Sequence, residues 1–306
     1  MTSPEPRPAA STPGTPVLSV VIPAHNEQAV IAANLRAVLV DARPGEFDVV
    51  VVVNGSTDRT AELARAAGDA GNEVRVVEIQ EASKVAALNA GDAATDVFPR
   101  VYLDADVTTD AATLRALARA LDDSTPYAIA SPSLIVDTRS ASRAVRSYYR
   151  VWNLTDYRQR GHIGSGIYAL SRDGRARFGA FPDLIADDTY VQQLFALEER
   201  TTLPDFSFTV RSPATLRAMV HRSARIAAGN SELKEYFART GTSSAGEDWG
   251  GSSQIRNLVL RVARSPRYWA DFPVYCVGYV ASRLAGNRKR RRGSMRVWER
   301  DETSRA

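Results

Sequence analysis

Residues 49–53 form an unbroken run of five valines, directly after an aspartate. A strand with one face in water alternates apolar and polar side chains, whereas a parallel strand covered on both faces shows no alternation. The run therefore predicts a central strand of a parallel sheet. Strand and helix patterns alternate around it over the first 120 residues, which predicts an α/β fold, a doubly wound, mostly parallel sheet with helices on both faces.

Beyond that point the pattern is less regular. In the first part, strands are predicted at residues 17–23, 48–53 and 74–79 and just before Asp104, and helices at residues 28–41, 83–94 and 111–121 and from after Asp58 to about residue 70. In the second part, strands are predicted at residues 127–136, 163–167 and 209–211, and helices at residues 140–159, 189–199 and 221–230, with further helices after a Gly/Ser-rich break at 241–253. Pro23 is expected to end the first strand.

Two carboxylates, Asp104 and Asp106, follow the apolar strand that begins at Val101. Side chains alternate along a strand, so residues two apart point to the same face. At the carboxyl end of a parallel strand, that face opens onto the crevice where open α/β sheets bind ligands. Two carboxylates there repel each other unless a cation lies between them. The pair therefore predicts a site for Mg²⁺ or Mn²⁺ carrying a phosphorylated substrate.

Two other strand ends supply polar groups to the same edge. His25, Asn26 and Glu27 follow the first strand, and Asn54 and Asp58 follow the second. Taken alone, the second loop is typical of a turn that caps a helix, but three converging strand ends predict one site. The chain has no Gly-x-Gly-x-x-Gly after the first strand and no Gly-x-x-x-x-Gly-Lys-Ser/Thr, which disfavours the usual dinucleotide fold and excludes a P-loop.

Four motifs occur in order: IPAHNE from residue 22, VVNGSTDRT from residue 52, SKVAALNAG from residue 83 and YLDADV from residue 102. Together they resemble the inverting glycosyltransferases of family 2, of the bacterial envelope or exopolysaccharide type, which adopt the GT-A fold. The resemblance covers residues 17–230 and implies a GT-A domain there. A disordered leader is expected at residues 1–16 and a helical C-terminal extension with a basic tail at residues 231–306.

The resemblance implies a nucleotide-sugar site at the strand ends, with Asp104 near the ribose and base and Asp106 on a Mg²⁺ or Mn²⁺ ion. Residues expected to contact the nucleotide are Pro23, Ala24, His25, Glu27, Asn54, Lys84, Asp104, Ala105, Arg222 and Arg225. Where the family commonly has an acidic pair before Gly-Ser, this chain has Val53 and Asn54. The donor base is therefore open between uracil, guanine and others.

The acceptor end is expected near Asp187 and Asp188. They resemble an acidic pair of the family whose second member is the catalytic base, so Asp188 is expected to take the proton of the attacking hydroxyl. An ordinary helix N-cap made of two aspartates is the alternative. Gly164, Ser165 and Gly166 resemble the glycine-rich stretch that lines the sugar and acceptor pocket, where glycine lets the backbone approach a substrate. A bulge or turn is the alternative.

His221, Arg222 and Arg225 lie where many relatives carry a Gln-x-x-Arg-Trp motif. Arg222 and Ile226 stand in place of the glutamine and tryptophan. That motif is typical of processive polymer synthases, so its absence favours transfer of a single sugar. The arginines can neutralise a leaving diphosphate. His221 is a candidate second metal ligand, with a surface histidine as the alternative.

The composition favours a cytoplasmic protein. Cys276 is the single cysteine, which excludes an intrachain disulfide, and residues 1–16 lack the features of a signal peptide. Five consecutive cations at residues 288–292 favour phosphate groups. The uncharged run at residues 272–282 is shorter than the roughly 20 residues of a membrane span. Aromatic and basic residues over 269–292 fit an interfacial segment at the inner face of the membrane, with a helix packed on the domain as the alternative.

The expected partners are therefore a nucleotide-sugar donor and a glycan or lipid-linked acceptor, with no nucleic acid. Two other functions stay open. A sugar nucleotidyltransferase would place a glycine-rich basic loop after the first strand, where this chain has PAHNE. A non-catalytic nucleotide-sugar or glycan-binding module would have no need of both Asp106 and Asp188.

Overall fold

A computed structural model describes residues 15–68, 71–159, 161–242, 244–245 and 252–291. Most of the expected leader, part of the break at 241–253 and the basic tail from residue 292 lie outside the described residues. The strands are β1 Leu18–Ala24, β2 Phe47–Asn54, β3 Val74–Ile79, β4 Arg100–Leu103, β5 Ile129–Asp137, β6 Ile167–Leu170 and β7 Arg200–Arg211.

These strands form one sheet in the order β3-β2-β1-β4-β6-β5-β7. Every neighbouring pair is parallel except the two pairs that include β6. The predicted mostly parallel sheet is thus confirmed, and the valines of β2 are buried between β1 and β3. Because β6 runs antiparallel to β4, with Ile167 beside Leu103, the chain entering β6 lies at the carboxyl end of β4.

The expectation that Pro23 ends the first strand is wrong, because β1 continues to Ala24. The backbone N–H of Ser19 donates to the Pro99 carbonyl, on the β4 side, and the nitrogen of Pro23, four residues on, points the same way. Pairing with β4 stops at Val21, while pairing with β2 continues. The proline nitrogen, which has no hydrogen, therefore faces β4 beyond the last paired residue, so no hydrogen bond between strands is lost.

Helices cover both faces of the sheet. They are α1 Ile31–Leu39, α2 Thr60–Arg65, α3 Lys84–Ala93, α4 Ala111–Ala120, α5 Arg143–Trp152, α6 Asp156–Gln159, α7 Arg172–Arg175, α8 Asp187–Gln193, α9 Leu216–Thr240, α10 Ser252–Ala263 and α11 Phe272–Arg291. Leu35 of α1 and Leu114 of α4 pack on one face. Leu88 of α3, Val191 of α8 and Leu233 of α9 pack on the other. This confirms the predicted architecture.

Several predicted elements differ in extent from the structure, including the strand expected at residues 163–167, which is β6 at Ile167–Leu170, and the helix expected at residues 189–199, which is α8 at Asp187–Gln193. The expected helix at residues 140–159 breaks after Trp152, where Thr155 Oγ1 donates to the Trp152 carbonyl. The expected strand at residues 209–211 is only the end of β7, which runs from Arg200 to Arg211. Pro132 pairs with Leu203 and Ser133 with Ser207, so residues 204–206 bulge from this edge strand and hide its pattern.

The helix expected at residues 221–230 is also longer, since α9 has 25 residues. Thr215 caps its start by accepting from the Ala218 N–H, and Gly241 ends it with a φ of 66°. The predicted domain boundary at residue 230 falls inside this helix. Beyond it, α10 and α11 share a core with α5 and α9, which includes Tyr148, Met219 and Tyr275.

Across the described ranges, each helix is either too short or too polar to cross a bilayer.

Candidate active site

Hydrogen bonds join the loops after β1 and β2. The Asn26 backbone N–H donates to Ser56 Oγ at 2.8 Å, and Asn26 Oδ1 accepts from the Thr57 N–H at 2.7 Å. Asn26 has a φ of 52°, a left-handed conformation that asparagine tolerates better than most residues. His25 Nδ1 donates to the Asn54 carbonyl at 2.6 Å. Two of the predicted nucleotide-binding loops therefore form one edge.

The Asn54 side chain is fully buried at this edge. Neither its Nδ2 nor its Oδ1 has a hydrogen-bond partner among the described residues. A buried amide without partners costs free energy in the folded state, so it is a candidate to pair with a ligand. Pro23, Ala24 and Glu27 are buried beside the loop, and the Glu27 N–H donates to Thr60 Oγ1 at 2.7 Å.

The third predicted loop follows β4. Its Asp104 N–H donates to the Gly166 carbonyl at 2.8 Å, and its Ala105 carbonyl accepts from Asn34 Nδ2 at 2.7 Å. Asp104 is half-buried, Ala105 is buried and Asp106 is exposed. Asn34 lies on α1 and was not predicted from the sequence, because its partner is 71 positions away. The loop is held from two sides, with Asp106 directed to solvent.

Lys84 connects this loop with the predicted acceptor end. Its Nζ lies 2.8 Å from Asp104 Oδ1 and 3.1 Å from Asp187 Oδ2. Lys84 is the first residue of α3, which Ser83 caps by accepting from the Ala86 N–H. Asp187 is the first residue of α8. The start of α3 therefore places the Lys84 ammonium between two carboxylates from distant parts of the chain, one after β4 and one at the start of α8.

Charge and burial set the protonation of this cluster. Burial favours the neutral form of Lys84, but nearby carboxylates outweigh it and raise its pKa. Burial raises the pKa of Asp104 against the opposing charge of Lys84, and the negative charge of Asp106 raises it further. Burial also raises the pKa of Asp187 to about 6, again opposed by Lys84 and supported by Asp188. Three carboxylates, Asp104, Asp187 and Asp188, thus share one ammonium, and Asp106 adds its charge beside Asp104. The excess negative charge favours a bound cation.

The Asp188 carboxylate is fixed by backbone groups. Its Oδ2 accepts from the Ser165 N–H at 2.9 Å, and its Oδ1 accepts from the Thr189 N–H at 2.7 Å. Gly164 has a φ of 93°, and a Cβ there would lie 2.8 Å from Asp188 Oδ2. Gly166 has a φ of 119°, and a Cβ there would lie 3.7 Å from Asp104 Oδ2. The three residues form a turn between Asp104 and Asp188, and their role in lining a sugar and acceptor pocket stays a prediction.

The hydroxyl of Ser165 has two polar neighbours that were not predicted from the sequence. Its Oγ lies 3.2 Å from Tyr157 Oη and 3.1 Å from His162 Nε2. His162 is buried, and burial, with the charge of Arg158, lowers its pKa to about 3. The imidazole is therefore neutral at ordinary pH. The only sign of these contacts in the sequence is that polar residues precede the glycine turn.

Tyr168 on β6 is a further group that the sequence did not reveal. Its ring stacks on Tyr102 with centroids 5.0 Å apart, and its buried hydroxyl has no hydrogen-bond partner within the described residues. Burial raises the pKa of Tyr168, and the negative charge of Asp187 adds to that shift. A neutral phenol thus lies near the acidic pair.

The predicted closing residues lie on α9. Arg222 Nη1 donates to the Arg211 carbonyl at the end of β7, at 3.3 Å, while His221 and Arg225 are exposed. The same helix supports the acidic pair further along, because a Cβ on Gly229 would lie 3.1 Å from Ile185. His221 is eight residues before that contact, about 12 Å along the helix axis. The roles of His221, Arg222 and Arg225 stay predictions.

Replacing Asp187 by asparagine should change the pH dependence of stability. The Asp187 pKa is about 6 in the folded protein and about 4 in an unfolded chain. The folded state therefore binds this proton more tightly than the unfolded chain does. Protonation of Asp187 stabilises the fold fully below about pH 4, and this contribution is lost as the pH rises through about 6. Relative to Asp187→Asn, the wild type should lose up to about 2–3 kcal/mol of unfolding free energy between those pH values. Urea unfolding of both proteins at several pH values measures this, and a pH-independent difference would contradict it.

A family model described as glycosyl transferase family 2 matches residues 19–177. No curated protein matches the chain in sequence. Among solved structures, a mannosyltransferase from Pyrobaculum calidifontis in complex with GDP-Man and Mn²⁺ is 20% identical, with a TM-score of 0.56 over 96% of this chain and 85% of that chain.

Glucosyl-3-phosphoglycerate synthase from Mycobacterium tuberculosis, in complex with phosphoglyceric acid, is 22% identical, with a TM-score of 0.47 over 62% of this chain and 70% of that chain. The structural likeness to the mannosyltransferase agrees with the GT-A fold. The family match extends over more than half of the 306 residues. The chain therefore belongs to glycosyl transferase family 2 and is a glycosyltransferase with a GT-A fold.

Proposed function

We propose that this protein moves a sugar from a nucleoside-diphosphate sugar to an acceptor hydroxyl, with inversion at the anomeric carbon. The observation that carries the proposal is the ammonium of Lys84, 2.8 Å from Asp104 and 3.1 Å from Asp187. Asp104 follows the strand end expected to receive the donor, and Asp187 adjoins the expected base, Asp188. Donor and acceptor groups thus share one cluster, as a direct transfer requires.

The chemistry of the donor end fits a divalent cation. Asp104 and Asp106 offer carboxylate oxygens, which Mg²⁺ and Mn²⁺ prefer. The described part of the chain has no group of three or more His, Cys, Asp or Glu side chains that could hold a metal. This suits an ion that keeps substrate phosphates and water among its ligands. Asp106 would hold the ion, with His221 as the expected further ligand, and when bound it would offset charge on the leaving diphosphate.

Asp188 acts as the general base. It takes the proton of the acceptor hydroxyl, whose oxygen attacks the anomeric carbon as the bond to the diphosphate breaks. The N–H groups of Ser165 and Thr189 each occupy one lone pair of its carboxylate, and further lone pairs are left for the proton. Arg222 and Arg225 neutralise charge on the departing diphosphate. A single displacement from the far face inverts the configuration.

The glycine turn supplies the wall of the sugar pocket. It lies between Asp104 and Asp188, the groups assigned to donor and acceptor. Gly164 and Gly166 have positive φ, and because they lack a Cβ the turn packs directly on Asp188 and Val107. The hydroxyl of Ser165 is available to a sugar hydroxyl, with Tyr157 and His162 holding it from behind. These residues select by shape and hydrogen bonding, since the His162 imidazole is neutral.

The acceptor is a glycan or a lipid-linked intermediate of bacterial envelope or exopolysaccharide synthesis, reached at the inner face of the cell membrane. The five cations at residues 288–292 support this assignment, because they favour a surface of phosphate groups. The lack of a Gln-x-x-Arg-Trp motif supports addition of one sugar. The buried, unpaired Asn54 amide can pair with uracil or guanine, since it has both a donor and an acceptor.

Release of nucleoside diphosphate from a panel of UDP-, GDP-, ADP- and dTDP-sugars, with Mn²⁺ and with chelator, tests the function. Transfer to an acceptor or to water yields the diphosphate in a cation-dependent manner. A nucleotidyltransferase would yield or consume pyrophosphate, and a binding module would release neither product. Binding of one donor without any release of diphosphate, with acceptors of each class present, would contradict the proposal.

Gly164→Ala should lower turnover strongly while leaving donor affinity nearly unchanged. The new Cβ would lie 2.8 Å from Asp188 Oδ2, on a backbone with a φ of 93°. Asp188 must move, and a displacement of about 1 Å in a catalytic group costs about 10²-fold in rate. Gly179→Ala is the matched control, because a Cβ there has no neighbour within 4 Å. Steady-state kinetics of both variants measure the effect, and equal turnover would show that the turn does not position Asp188.

A further inference from the structure

The C-terminal helices expose an apolar surface. Six aliphatic side chains are among its exposed residues, namely Ile255, Val259 and Leu260 of α10 and Val277, Val280 and Leu284 of α11. The three on α11 are 63%, 53% and 54% exposed, so each is more than half in water. Trp269, in the link between the helices, is exposed as well. Exposed apolar side chains therefore lie on both helices and on the link between them, and together they are called the α10–α11 face.

The outward direction of these side chains is fixed by packing on the other side of α11. Gly278 faces α5 and α9, where an added Cβ would lie 2.9 Å from the Tyr148 ring. Gly286 faces α9, where a Cβ would lie 2.7 Å from the Ala224 carbonyl oxygen. Val280 and Leu284 lie on the opposite side of the helix from these glycines. Since the glycine side cannot accept larger groups, α11 cannot rotate to bury its outer stripe.

The charge within residues 252–291 is almost all positive, although Arg290 pairs with Glu235 of α9 and Arg261 with Asp156 of α6. Residues 252–291 contain nine lysines or arginines and one acidic residue, Asp271. Asp271 is buried and accepts from Arg150 Nη2 at 2.6 Å, so it contributes little negative charge to the surface. Exposed arginines of this segment are Arg256, Arg264, Arg267, Arg283 and Arg288. The face therefore combines apolar side chains with guanidinium groups.

We infer that the α10–α11 face binds the surface of an anionic lipid bilayer. The aliphatic side chains and Trp269 enter the boundary between headgroups and acyl chains, and the arginines pair with lipid phosphates. Tryptophan is favoured at that boundary because its ring is apolar and its N–H polar. A second copy of the same face is a poor occupant, since two such faces would bring like charges together. Binding of this kind is to one surface of the bilayer.

This inference rests on the proposed function for the purpose of membrane binding, which is to hold the enzyme beside a lipid-linked acceptor. Membrane binding itself is independent of catalysis, because binding to vesicles needs no sugar donor. It also extends beyond the C-terminal basic run to the outer side of α10. Both alternatives raised for residues 269–292 then apply together, with one side of α11 packed on the domain and the other side on lipid.

Flotation with vesicles of phosphatidylglycerol and phosphatidylcholine, compared with pure phosphatidylcholine, tests the inference. The wild type should float with the anionic vesicles only, and less so at high salt. Val277→Asp with Val280→Asp should reduce binding at least about tenfold, since both side chains would enter the bilayer boundary as carboxylates. The matched control is Val17→Asp with Val40→Asp, which places the same charges on exposed valines outside this face.

Thermal unfolding and diphosphate release from a soluble donor show that each variant is folded and active. Equal flotation of both double variants, no flotation of the wild type, or equal binding to neutral vesicles would overturn the inference. So would a wild-type dimer that Val277→Asp with Val280→Asp converts to a monomer, since the occupant would then be a second copy. Flotation without diphosphate release would instead refute the proposed function alone.

Discussion

Replacement of Asp188 by asparagine is expected to abolish sugar transfer and to leave nucleotide binding intact. An amide has nearly the same shape as the carboxylate but cannot accept the proton of an acceptor hydroxyl. Loss of a positioned general base lowers turnover by about 10²–10⁴-fold. Asp188 contacts the Ser165 and Thr189 N–H groups, while Asp104 and Asp106 occupy the donor end. The donor should therefore bind as before.

Single-turnover kinetics with saturating donor, together with calorimetric titration of the nucleoside diphosphate, measure the two effects of Asp188→Asn separately. Thr189→Ala is the control, because it keeps the backbone N–H that holds Asp188 and removes only a hydroxyl 3.3 Å from Oδ1. It should transfer sugar at close to the wild-type rate. Near-normal turnover in Asp188→Asn would rule out this residue as the base.

Replacement of Asp106 by alanine is expected to remove both transfer and cation-dependent nucleotide binding. Asp106 is the exposed carboxylate after β4 and the residue expected to hold the ion on the diphosphate. Without the ion, charge on the leaving diphosphate is no longer offset, which is worth several kcal/mol, or about 10³-fold or more in rate. The nucleoside diphosphate should bind at least about tenfold more weakly in Mn²⁺.

Asp205→Ala is the matched control for Asp106→Ala, since it removes an exposed aspartate from β7, on the edge strand of the sheet. It should keep both activities. Titration of the nucleoside diphosphate with Mn²⁺ and with chelator measures the coupling between ion and nucleotide. If Asp106→Ala bound the nucleotide as the wild type does and retained its dependence on Mn²⁺, another residue would hold the ion.

Local patterns predicted the central part of the fold well. The valine run became β2, and the strand at residues 74–79 became β3 with the same bounds. The predictions were wrong where a distant contact decides the outcome. Pro23 continues β1 because pairing with β4 has already ended, and β7 is longer than expected because a bulge interrupts its pattern. The periodicity of apolar residues in a single sequence shows neither where pairing with a neighbouring strand ends nor where a bulge occurs.

The candidate site was predicted as separate motifs and not as one arrangement. Nothing in the local sequence relates Lys84 to Asp187, which is 103 positions later. The two residues meet only because the starts of their helices pack together in the fold. His162 and Tyr168 were missed for a similar reason. Each is a buried polar residue whose importance comes from what it faces, Ser165 in one case and the acidic pair in the other.

The configuration of the first-formed product tests the proposed single displacement most directly. With a donor that releases diphosphate in the panel, real-time proton NMR can record the anomeric signal of the product before mutarotation, with water or a simple alcohol as acceptor. An α-linked donor should give the β product first, because Asp188 activates a hydroxyl on the face opposite the diphosphate. An α product formed first would contradict the single displacement and the role of Asp188 in it.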